Sequence, residues 1–312
     1  MNKIKLFNNI TSLSKLNYKI GDCNIWMKRD DNIDFAFGGN KVRLYEYIAQ
    51  YIIDNHVDRV LTYGSPLSNY LRVTACVCSK LGIKCDLIIL DDENSYNTGG
   101  NAALINKFDV NIIHCDYDNA HDFIDSYQAK LNNENINYLW IPGGGHIPQA
   151  AFGYVDASIE IRKQLLDNNC EIEAVFLPCG TGTTQAGVVY GFADTDIDIV
   201  GITVARNIDR CIKEIDETLI QMQSLDGKIG EREYKFEVID NDGTKYGKQS
   251  ELSKNTVKQL AISDGIFLDP VYNAKAFTGM LRYIEETRKY KNVLYINTGG
   301  TPNIFINNEV NK

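Results

Sequence analysis

A lysine at the end of a glycine-rich turn is a candidate reactive residue of this sequence. Lys41 follows Gly38, Gly39 and Asn40 and opens a segment with helical character. The two glycines allow a flat ligand to approach the backbone closely, and a lysine amine forms imines with carbonyl ligands. A lysine at such a junction is more often a solvated surface charge, so the assignment of chemistry depends on a second signal in the chain.

The second signal is a loop that suits a phosphate group. Residues 177–187, "LPCGTGTTQAG", follow an apolar run and open a helix-like run. Glycines in such a loop let the backbone approach an anion, while the first amides and the dipole of the next helix favour negative charge there. The alternative is an ordinary turn between a strand and a helix. The residues that we expect to hold the anion are Gly180, Thr181, Gly182, Thr183 and Thr184.

Two nucleotide-binding motifs fit this loop poorly. A nucleotide P-loop requires lysine after its second glycine, and Val188 stands there. The dinucleotide fingerprint requires glycine where Gln185 stands, although Arg206 could meet a 2′-phosphate. A loop for one small phosphate monoester fits best. Together with Lys41, whose pKa desolvation would have to lower, it predicts the amine and the anion anchor that pyridoxal 5′-phosphate requires.

The elements that position these residues alternate between short apolar runs and longer amphipathic ones. Runs such as "RVLTYG", "IKCDLIIL" and "NVLYIN" are continuous in Val, Ile and Leu, which is typical of parallel strands covered on both faces. The alternation breaks near residues 143–153 and predicts an α/β fold of two lobes with mostly parallel sheets. We divide the chain into a large domain, residues 1–54 plus 148–312, and a small domain, residues 55–147.

Two polar segments are predicted to lie outside this alternation. Residues 228–251 are polar and irregular, and we expect a surface excursion between helices. The tail, residues 307–312, is polar and is expected to be disordered.

Composition and charge exclude several classes of function. The formal net charge of −9 argues against nonspecific binding to nucleic acid or to anionic membranes. No apolar run is long enough for a membrane span, and the N-terminus lacks the pattern of a secretory signal. Eight cysteines occur without a C-x-x-C pair, so we expect no metal site and a cytoplasmic protein with reduced thiols.

The sequence resembles a known family over nearly its whole length, from about residue 26 to 305. The segments "KRDD", "FAFGGNKVR", "GSPLSNYLRVTACVCSKLGIKC", "IPGGGHIPQAAFGYVDASIEI", "CGTGTTQAG", "DPVYNAKAFTGML" and "NTGGTP" occur in the order found in 1-aminocyclopropane-1-carboxylate (ACC) deaminase and D-cysteine desulfhydrase. These belong to the fold type II, tryptophan-synthase-β-like group of pyridoxal enzymes. The resemblance implies two three-layer α/β/α lobes with the cofactor in the cleft between them, a small amino-acid substrate and a homodimer.

The resemblance also implies roles for individual residues. Lys41 would attach to the cofactor through an imine and transfer protons. Ser68 and Asn69 match a Ser-Asn pair that contacts the substrate carboxylate and the ring oxygen of the cofactor. Tyr272 matches the tyrosine of the D-P-V-Y segment near the substrate, and Tyr246 matches a second active-site tyrosine in a more divergent context.

Departures from the family pattern bear on the choice of substrate. Asn273, expected with Thr298 at the cofactor, stands where ACC deaminases carry glutamate and the desulfhydrases tend to carry threonine. A neutral amide cannot stabilise a protonated pyridine nitrogen as a carboxylate does. In the loop before the helix, Leu67 replaces glutamine, Tyr70 replaces a polar residue, and Ser65 with Pro66 replaces a glycine-containing turn.

The predicted activity is a lyase or deaminase reaction on a small amino acid. A weaker electron sink suits α,β-elimination of a good leaving group, which yields a keto acid and ammonia, better than it suits opening a cyclopropane ring. The alternatives are a ring-opening, β-replacement or racemising enzyme of the same cofactor class. A catalytically silent protein that binds a phosphate ligand or a partner protein is a further alternative.

Overall fold

The chain alternates strands and helices over most of its length in a computed structural model, which describes residues 1–91, 99–228, 232–241 and 243–306. Ten strands occur in these ranges: β1 (Leu13–Ile20), β2 (Cys23–Arg29), β3 (Arg59–Gly64), β4 (Lys84–Leu90), β5 (Asn111–Cys115), β6 (Tyr138–Ile141), β7 (Ala174–Cys179), β8 (Asp198–Thr203), β9 (Glu237–Ile239) and β10 (Asn292–Asn297). The polar tail that the sequence predicts to be disordered lies outside the described residues.

Nine α-helices connect or cover these strands within the same ranges. They are α1 (Asn40–Asp54), α2 (Asn69–Leu81), α3 (Gly100–Ile105), α4 (Ala120–Asn133), α5 (Pro148–Asp167), α6 (Thr183–Gly191), α7 (Ile208–Asp226), α8 (Glu251–Asp264) and α9 (Asn273–Thr287). Short 3₁₀ helices occupy Asp30–Asn32, Tyr117–Asn119 and Thr301–Phe305.

Two sheets organise the molecule. The larger sheet has the strand order β1-β2-β10-β7-β8-β9, in which β1 and β2 are antiparallel and the other neighbours are parallel. The smaller sheet has the order β5-β4-β3-β6 and is parallel throughout. All strands of the smaller sheet lie within residues 55–147, and those of the larger sheet lie outside that range. The domain boundaries themselves stay a prediction.

The central strands are buried, as their continuous apolar composition predicts. All six residues of β7 are buried, and six of the seven residues of β4 are buried. Helices cover both faces of such strands, so a continuous apolar run rather than an alternating one is needed. Residues at its two ends define α2, because the Ser68 hydroxyl caps its first turn and Gly82 ends it in the left-handed conformation.

The polar segment at residues 228–251 differs from the expectation. It contains β9, which pairs with β8 at the edge of the larger sheet. The prediction of an irregular segment was therefore wrong for Glu237–Ile239, whereas the other described residues between α7 and α8 are neither helix nor strand. The strand is only three residues long, and its partner β8 supplies the hydrogen bonds that a sequence pattern cannot show.

A buried ion network fixes the entry to α1. The Arg43 guanidinium donates to both carboxylate oxygens of Asp30, at 2.9 and 2.8 Å. The Asp30 carbonyl oxygen in turn accepts from the Gly39 amide at 2.8 Å. Lys28 and Glu160 extend the network as a second ion pair. The turn before Lys41 is therefore held by charges in the interior of the large lobe.

Two features are absent from the described part of the chain. No helix there combines the length and the apolar character needed to cross a bilayer. No group of three or more His, Cys, Asp or Glu side chains is arranged there to hold a metal ion.

Candidate active site

A cavity of about 420 Å³ lies between the two sheets. Its walls come from the carboxyl ends of parallel strands: the loop after β3, the loop after β7 and Thr298 after β10. Ligands bind at this end of open α/β sheets because the loops and helix N-termini converge there. The cavity is therefore where the fold brings distant residues together.

Lys41 lies at the wall of this cavity. Its Nζ donates to the Gly144 carbonyl oxygen at 2.8 Å. Burial lowers the pKa of Lys41 to about 8, with a further contribution from the positive charge of Arg206 and a small opposing one from Cys179. About a tenth of such an amine is uncharged at pH 7, far more than for an ordinary lysine, and only the uncharged amine is a nucleophile.

The turn before Lys41 requires glycine. Gly39 has a φ of 101°, and a β-carbon there would lie 2.8 Å from the Thr298 carbonyl oxygen. The same oxygen accepts from the Asn40 amide at 3.0 Å. The first turn of α1 is thus pinned to the residue that follows β10, which is the close backbone approach that the two glycines predicted.

The glycine loop after β7 opens α6 toward the cavity. Gly182 has a φ of 82° and precedes the first helical residue, and a β-carbon at Gly180 would meet nothing within 4 Å. The cavity is lined by Gly180, Thr181, Gly182 and Thr184. Thr183 is buried instead, with its hydroxyl 3.0 Å from His146 Nδ1. The loop leaves room for an anion at the N-terminus of a nine-residue helix.

Two arginines beside this loop are functional candidates, of which sequence reasoning considered Arg206 only for a 2′-phosphate and missed Arg210. Arg206 and Arg210 line the cavity. Glu214 lies 2.8 Å from Arg206, 3.5 Å from Arg210 and 2.8 Å from His146. Burial lowers the pKa of His146, and Arg206 and Lys41 add to that effect while Glu214 opposes it. The available signal was that Arg206 follows β8, the strand next to β7.

The charged side chains that the structure places along the cavity are all of one sign. Over the residues that the structure describes, three cations line the cavity, Lys41, Arg206 and Arg210, and no carboxylate does. Such a wall suits a ligand with two or more negative charges. A phosphate monoester and a carboxylate together have that charge, so the residues present fit a phosphate-bearing cofactor with an amino-acid substrate.

The Ser-Asn pair lies at the start of α2, on the side of the small lobe. Both residues line the cavity. The Ser68 hydroxyl accepts from the Leu71 amide at 3.2 Å, so its proton is free to be donated elsewhere. Asn69 Oδ1 accepts from Asn101 Nδ2 at 2.8 Å. That bond fixes the amide, which leaves Nδ2 of Asn69 as a hydrogen-bond donor.

Tyr246 and Tyr272 meet on the opposite wall. Their hydroxyl oxygens are 2.7 Å apart, and Tyr246 is also 3.0 Å from Ser65 Oγ. Burial raises the pKa of both tyrosines, and hydrogen bonds from Ser65 and Tyr272 partly offset the effect at Tyr246. Both phenols are therefore protonated at neutral pH.

Asn273 and Thr298 occupy different positions relative to the cavity. Thr298 lines it, whereas Asn273 is fully buried behind Thr298. Asn273 Nδ2 donates to Asp269 and to the Gly299 carbonyl, at 2.8 and 2.6 Å. Its Oδ1 accepts from Tyr295 and twice from Thr298. The amide has no remaining donor, so the structure brings Thr298 but not Asn273 to the cavity wall.

Two of the substituted loop residues are fixed by their contacts, and one of them, Tyr70, also lines the cavity. Tyr70 stacks on Tyr45, with ring centroids 5.6 Å apart, and a β-carbon at Gly145 would lie 2.9 Å from Tyr70 Cε2. The Leu67 carbonyl oxygen accepts from Asn101 and from Asn303, both at 2.9 Å. The substituted loop is thus held from both lobes.

Comparison with known proteins adds three findings. A family model described as pyridoxal-phosphate dependent enzyme matches residues 5–299. D-cysteine desulfhydrase of Yersinia pestis (strain Pestoides F) is 30% identical over 318 residues, covering 97% of this chain and 95% of the relative. D-cysteine desulfhydrase of Klebsiella pneumoniae (strain 342) is 31% identical over 297 residues, covering 90% and 88%.

A solved structure shows the same architecture. A crystal structure described as that of an ACC deaminase homologue superposes with a TM-score of 0.89 at 28% identity, and the match covers 97% of this chain and 93% of that chain. The predicted α/β fold of two lobes is therefore confirmed.

Proposed function

This chain belongs to the family of pyridoxal-phosphate dependent enzymes, and from that premise we propose that it is a lyase that removes a β-substituent from a small amino acid. The products are a keto acid and ammonia. The predicted cofactor and enzyme class are confirmed by membership of the family. The D-cysteine desulfhydrases among its relatives support elimination from a cysteine-like substrate.

One observation carries the proposal. The amine of Lys41, whose pKa is lowered to about 8, shares a cavity with a glycine loop at a helix N-terminus. A nucleophilic amine and an anion site in one cavity are the two attachments that the cofactor needs. The three cations on the wall add charge complementarity. We therefore assign Lys41 as the attachment residue.

The remaining contacts to the cofactor follow from the geometry. We assign the phosphate to the amides of the loop at Gly180–Thr184 and to the Thr181 and Thr184 hydroxyls, which line the cavity. Asn69 presents Nδ2, which is suited to the ring oxygen. Thr298, which follows β10, lines the cavity, and we assign it to the ring of the cofactor. When bound, the cofactor withdraws electrons from the α-carbon of an attached amino acid.

The protein residues then orient the substrate and move its protons. We assign the substrate carboxylate to Ser68, whose hydroxyl proton is free because its oxygen caps α2. The Lys41 amine would accept the α-proton of the substrate at Nζ. The hydroxyls of Tyr272 and Tyr246 line the same cavity and hold the side of the substrate that leaves.

The position of Asn273 favours elimination over ring opening. Its amide is saturated by five hydrogen bonds behind the cavity wall. No carboxylate among the described lining residues replaces the glutamate of the ring-opening enzymes. A strong electron sink is therefore missing, and a good β-leaving group is needed. We propose that thiol or chloride leaving groups react and that cyclopropane substrates do not.

The test is a substrate screen of the purified holoenzyme. Borohydride reduction followed by peptide mass spectrometry is expected to find the cofactor on Lys41, and Lys41→Ala is expected to lose the adduct. D-cysteine and β-chloroalanine are expected to release keto acid, with ACC far slower. Ring opening of ACC as the main reaction would overturn the assignment of elimination, and an adduct on another lysine would overturn Lys41.

Assembly as a homodimer is also part of the proposal. The family resemblance suggests it, and Ile159 and Leu166 on α5 support it, because they lie seven residues apart on one helix face and are 62% and 81% exposed. Light scattering of the holoenzyme is expected to give twice the chain mass, and a monomer would contradict the assignment.

We also propose a cytoplasmic location, which the eight free cysteines support, because such thiols persist in a reducing compartment. Cell fractionation is expected to find the protein with the cytoplasmic fraction.

A further inference from the structure

Ser65 ends the smaller sheet's central strand in a rigid position. It directly follows β3, and its carbonyl oxygen accepts from the Ser68 amide at 3.0 Å. Pro66 fixes the backbone of the intervening turn. The Leu67 carbonyl is held by one amide from α3 and by another from the 3₁₀ helix Thr301–Phe305. The Ser65 side chain is therefore presented to the cavity from a loop with little freedom.

Tyr246 comes from the other lobe and is held by separate contacts. The Lys245 carbonyl oxygen accepts from the buried Lys275 amine and from the Lys248 amide. A β-carbon at Gly247 would stand 3.5 Å from Leu67 Cδ1, which is an ordinary van der Waals distance. The segment around Tyr246 thus packs directly on the substituted loop of the small lobe.

A chain of three hydroxyl groups joins the two lobes across the cavity wall. Ser65 Oγ lies 3.0 Å from the Tyr246 hydroxyl, which lies 2.7 Å from the Tyr272 hydroxyl. All three residues line the cavity. The two tyrosine rings pack edge to face, with centroids 5.9 Å apart. We call this arrangement the hydroxyl chain.

We propose that Ser65 is a positioning residue that holds the Tyr246 hydroxyl, and through it the Tyr272 hydroxyl, for proton transfer at the substrate. The proposal rests on the proposed elimination. The contact between Ser65 and Tyr246 joins the two lobes on the wall where the leaving group is placed.

The direction in which the hydroxyl chain donates determines whether the Tyr272 proton is available to the substrate. A hydroxyl donates one proton, so when Ser65 donates to Tyr246, Tyr246 donates to Tyr272, and Tyr272 is left with its proton for the cavity. Without Ser65, this order is no longer imposed, and either tyrosine can be the donor in the bond between them. Hydrogen bonds in such a chain polarise one another. The Ser65 contact also lowers the pKa of Tyr246 against the larger effect of burial, so the phenol is a better proton donor with Ser65 present.

The experiment is a double-mutant cycle on the holoenzyme with β-chloroalanine and D-cysteine. Ser65→Ala is expected to lower kcat about 3- to 10-fold, which corresponds to one hydrogen bond, with KM little changed. The solvent deuterium isotope effect on kcat is expected to rise, because donation of a hydroxyl proton to the leaving group becomes more limiting. In the Tyr246→Phe background, Ser65→Ala is expected to change kcat by less than about twofold, since Ser65 acts through Tyr246.

A role in loop structure alone predicts a different result. It would raise KM, leave the isotope effect unchanged and give additive losses with Tyr246→Phe, and any such set would overturn the proposal. Ser65→Thr is expected to restore kcat because it restores the hydroxyl. Ser126→Ala, which removes a serine hydroxyl on α4 of the same lobe outside the cavity, is the matched control and is expected to leave kcat unchanged.

Two further measurements separate this proposal from the function on which it rests. If borohydride traps no cofactor on Lys41 in the unsubstituted enzyme, the proposed function fails. If the adduct forms and Ser65→Ala turns over at the original rate, only the role of Ser65 fails. Should Ser65→Ala lose its cofactor absorbance, Ser65→Cys takes its place, because its thiol is a weak donor of similar size; an unchanged kcat in that variant would likewise refute the role.

Discussion

Replacing Lys41 with methionine is expected to stabilise the protein when the cofactor has been removed. The amine lies at the wall of the cavity with the Gly144 carbonyl oxygen as its hydrogen-bond partner. Arg206 faces it with like charge. The folded state therefore holds this lysine in a less favourable charged form than the unfolded chain does. Methionine has a similar length and no charge, so it removes the penalty without a large cavity.

The size of the effect follows from the pKa. The pKa of Lys41 falls from 10.5 to about 8 on folding, which corresponds to about 3 kcal/mol at pH 7, where the amine is protonated in both states. The partial exposure of the group and the lost hydrogen bond to Gly144 reduce the gain. We expect Lys41→Met to raise the free energy of unfolding by about 2 kcal/mol at pH 7.

The pH dependence has a definite sign. The folded-state pKa lies below the unfolded one, so between about pH 8 and 10.5 the unfolded chain binds more protons. The stability contributed by Lys41 therefore rises with pH over that window. The advantage of the methionine variant is expected to shrink by about 1 kcal/mol between pH 7 and pH 9.

Urea unfolding of both apoproteins at pH 7, 8 and 9, followed by circular dichroism, measures these differences. Lys213→Met is the control, because Lys213 lies on the surface of α7 with its side chain 73% exposed, and we expect a change below about 0.5 kcal/mol. The reasoning is refuted if Lys41→Met is less stable than the unsubstituted protein at pH 7, or if its advantage grows with pH.

Three further predictions concern the residues that hold the site. Gly39→Ala is expected to destabilise the protein by about 1–3 kcal/mol and to reduce cofactor occupancy measured by absorbance, because its β-carbon would lie 2.8 Å from the Thr298 carbonyl oxygen. Arg43→Met is expected to cost about 3 kcal/mol in urea unfolding, since the buried Asp30 carboxylate loses the guanidinium that lowers its pKa. Asn101→Ala is expected to weaken cofactor binding about 3- to 10-fold while the Lys41 adduct still forms at saturating cofactor, because Asn69, which we assign to the ring oxygen, loses the bond that fixes its amide. An unchanged dissociation constant of the cofactor would show that Asn69 keeps its orientation without Asn101.

The parallel strands and α2 were predictable because each carries its signal locally. A strand covered on both faces needs a continuous apolar run, as in β4 and β7. A cap residue and a left-handed glycine mark the ends of α2. β9 was not predictable, because its three residues gain their hydrogen bonds only from β8. The position of Tyr246 at the cavity likewise depends on contacts between residues that are distant in sequence.

The site shows the same division between local and distant information. The glycines beside Lys41 predicted a close approach to the backbone, and the structure has one between Gly39 and Thr298. The side-chain direction of Asn273 was not encoded locally, since it is set by partners on and after β10, at Tyr295 and Thr298. A motif position predicts which residues gather near a site, and the hydrogen-bond network decides which of them face it.

Arg206 connects the stability of the cavity with its chemistry. Its charge lowers the pKa of Lys41 and is balanced by Glu214, which it shares with Arg210. Without a ligand, the positive charge of Arg206 adds to burial in destabilising the charged form of the amine. A phosphate in the glycine loop would offset the arginine charges, so the repulsion on Lys41 is greatest before the cofactor binds. The amine is therefore most nucleophilic when it has to capture the cofactor, and the penalty that Lys41→Met should remove is the source of that reactivity.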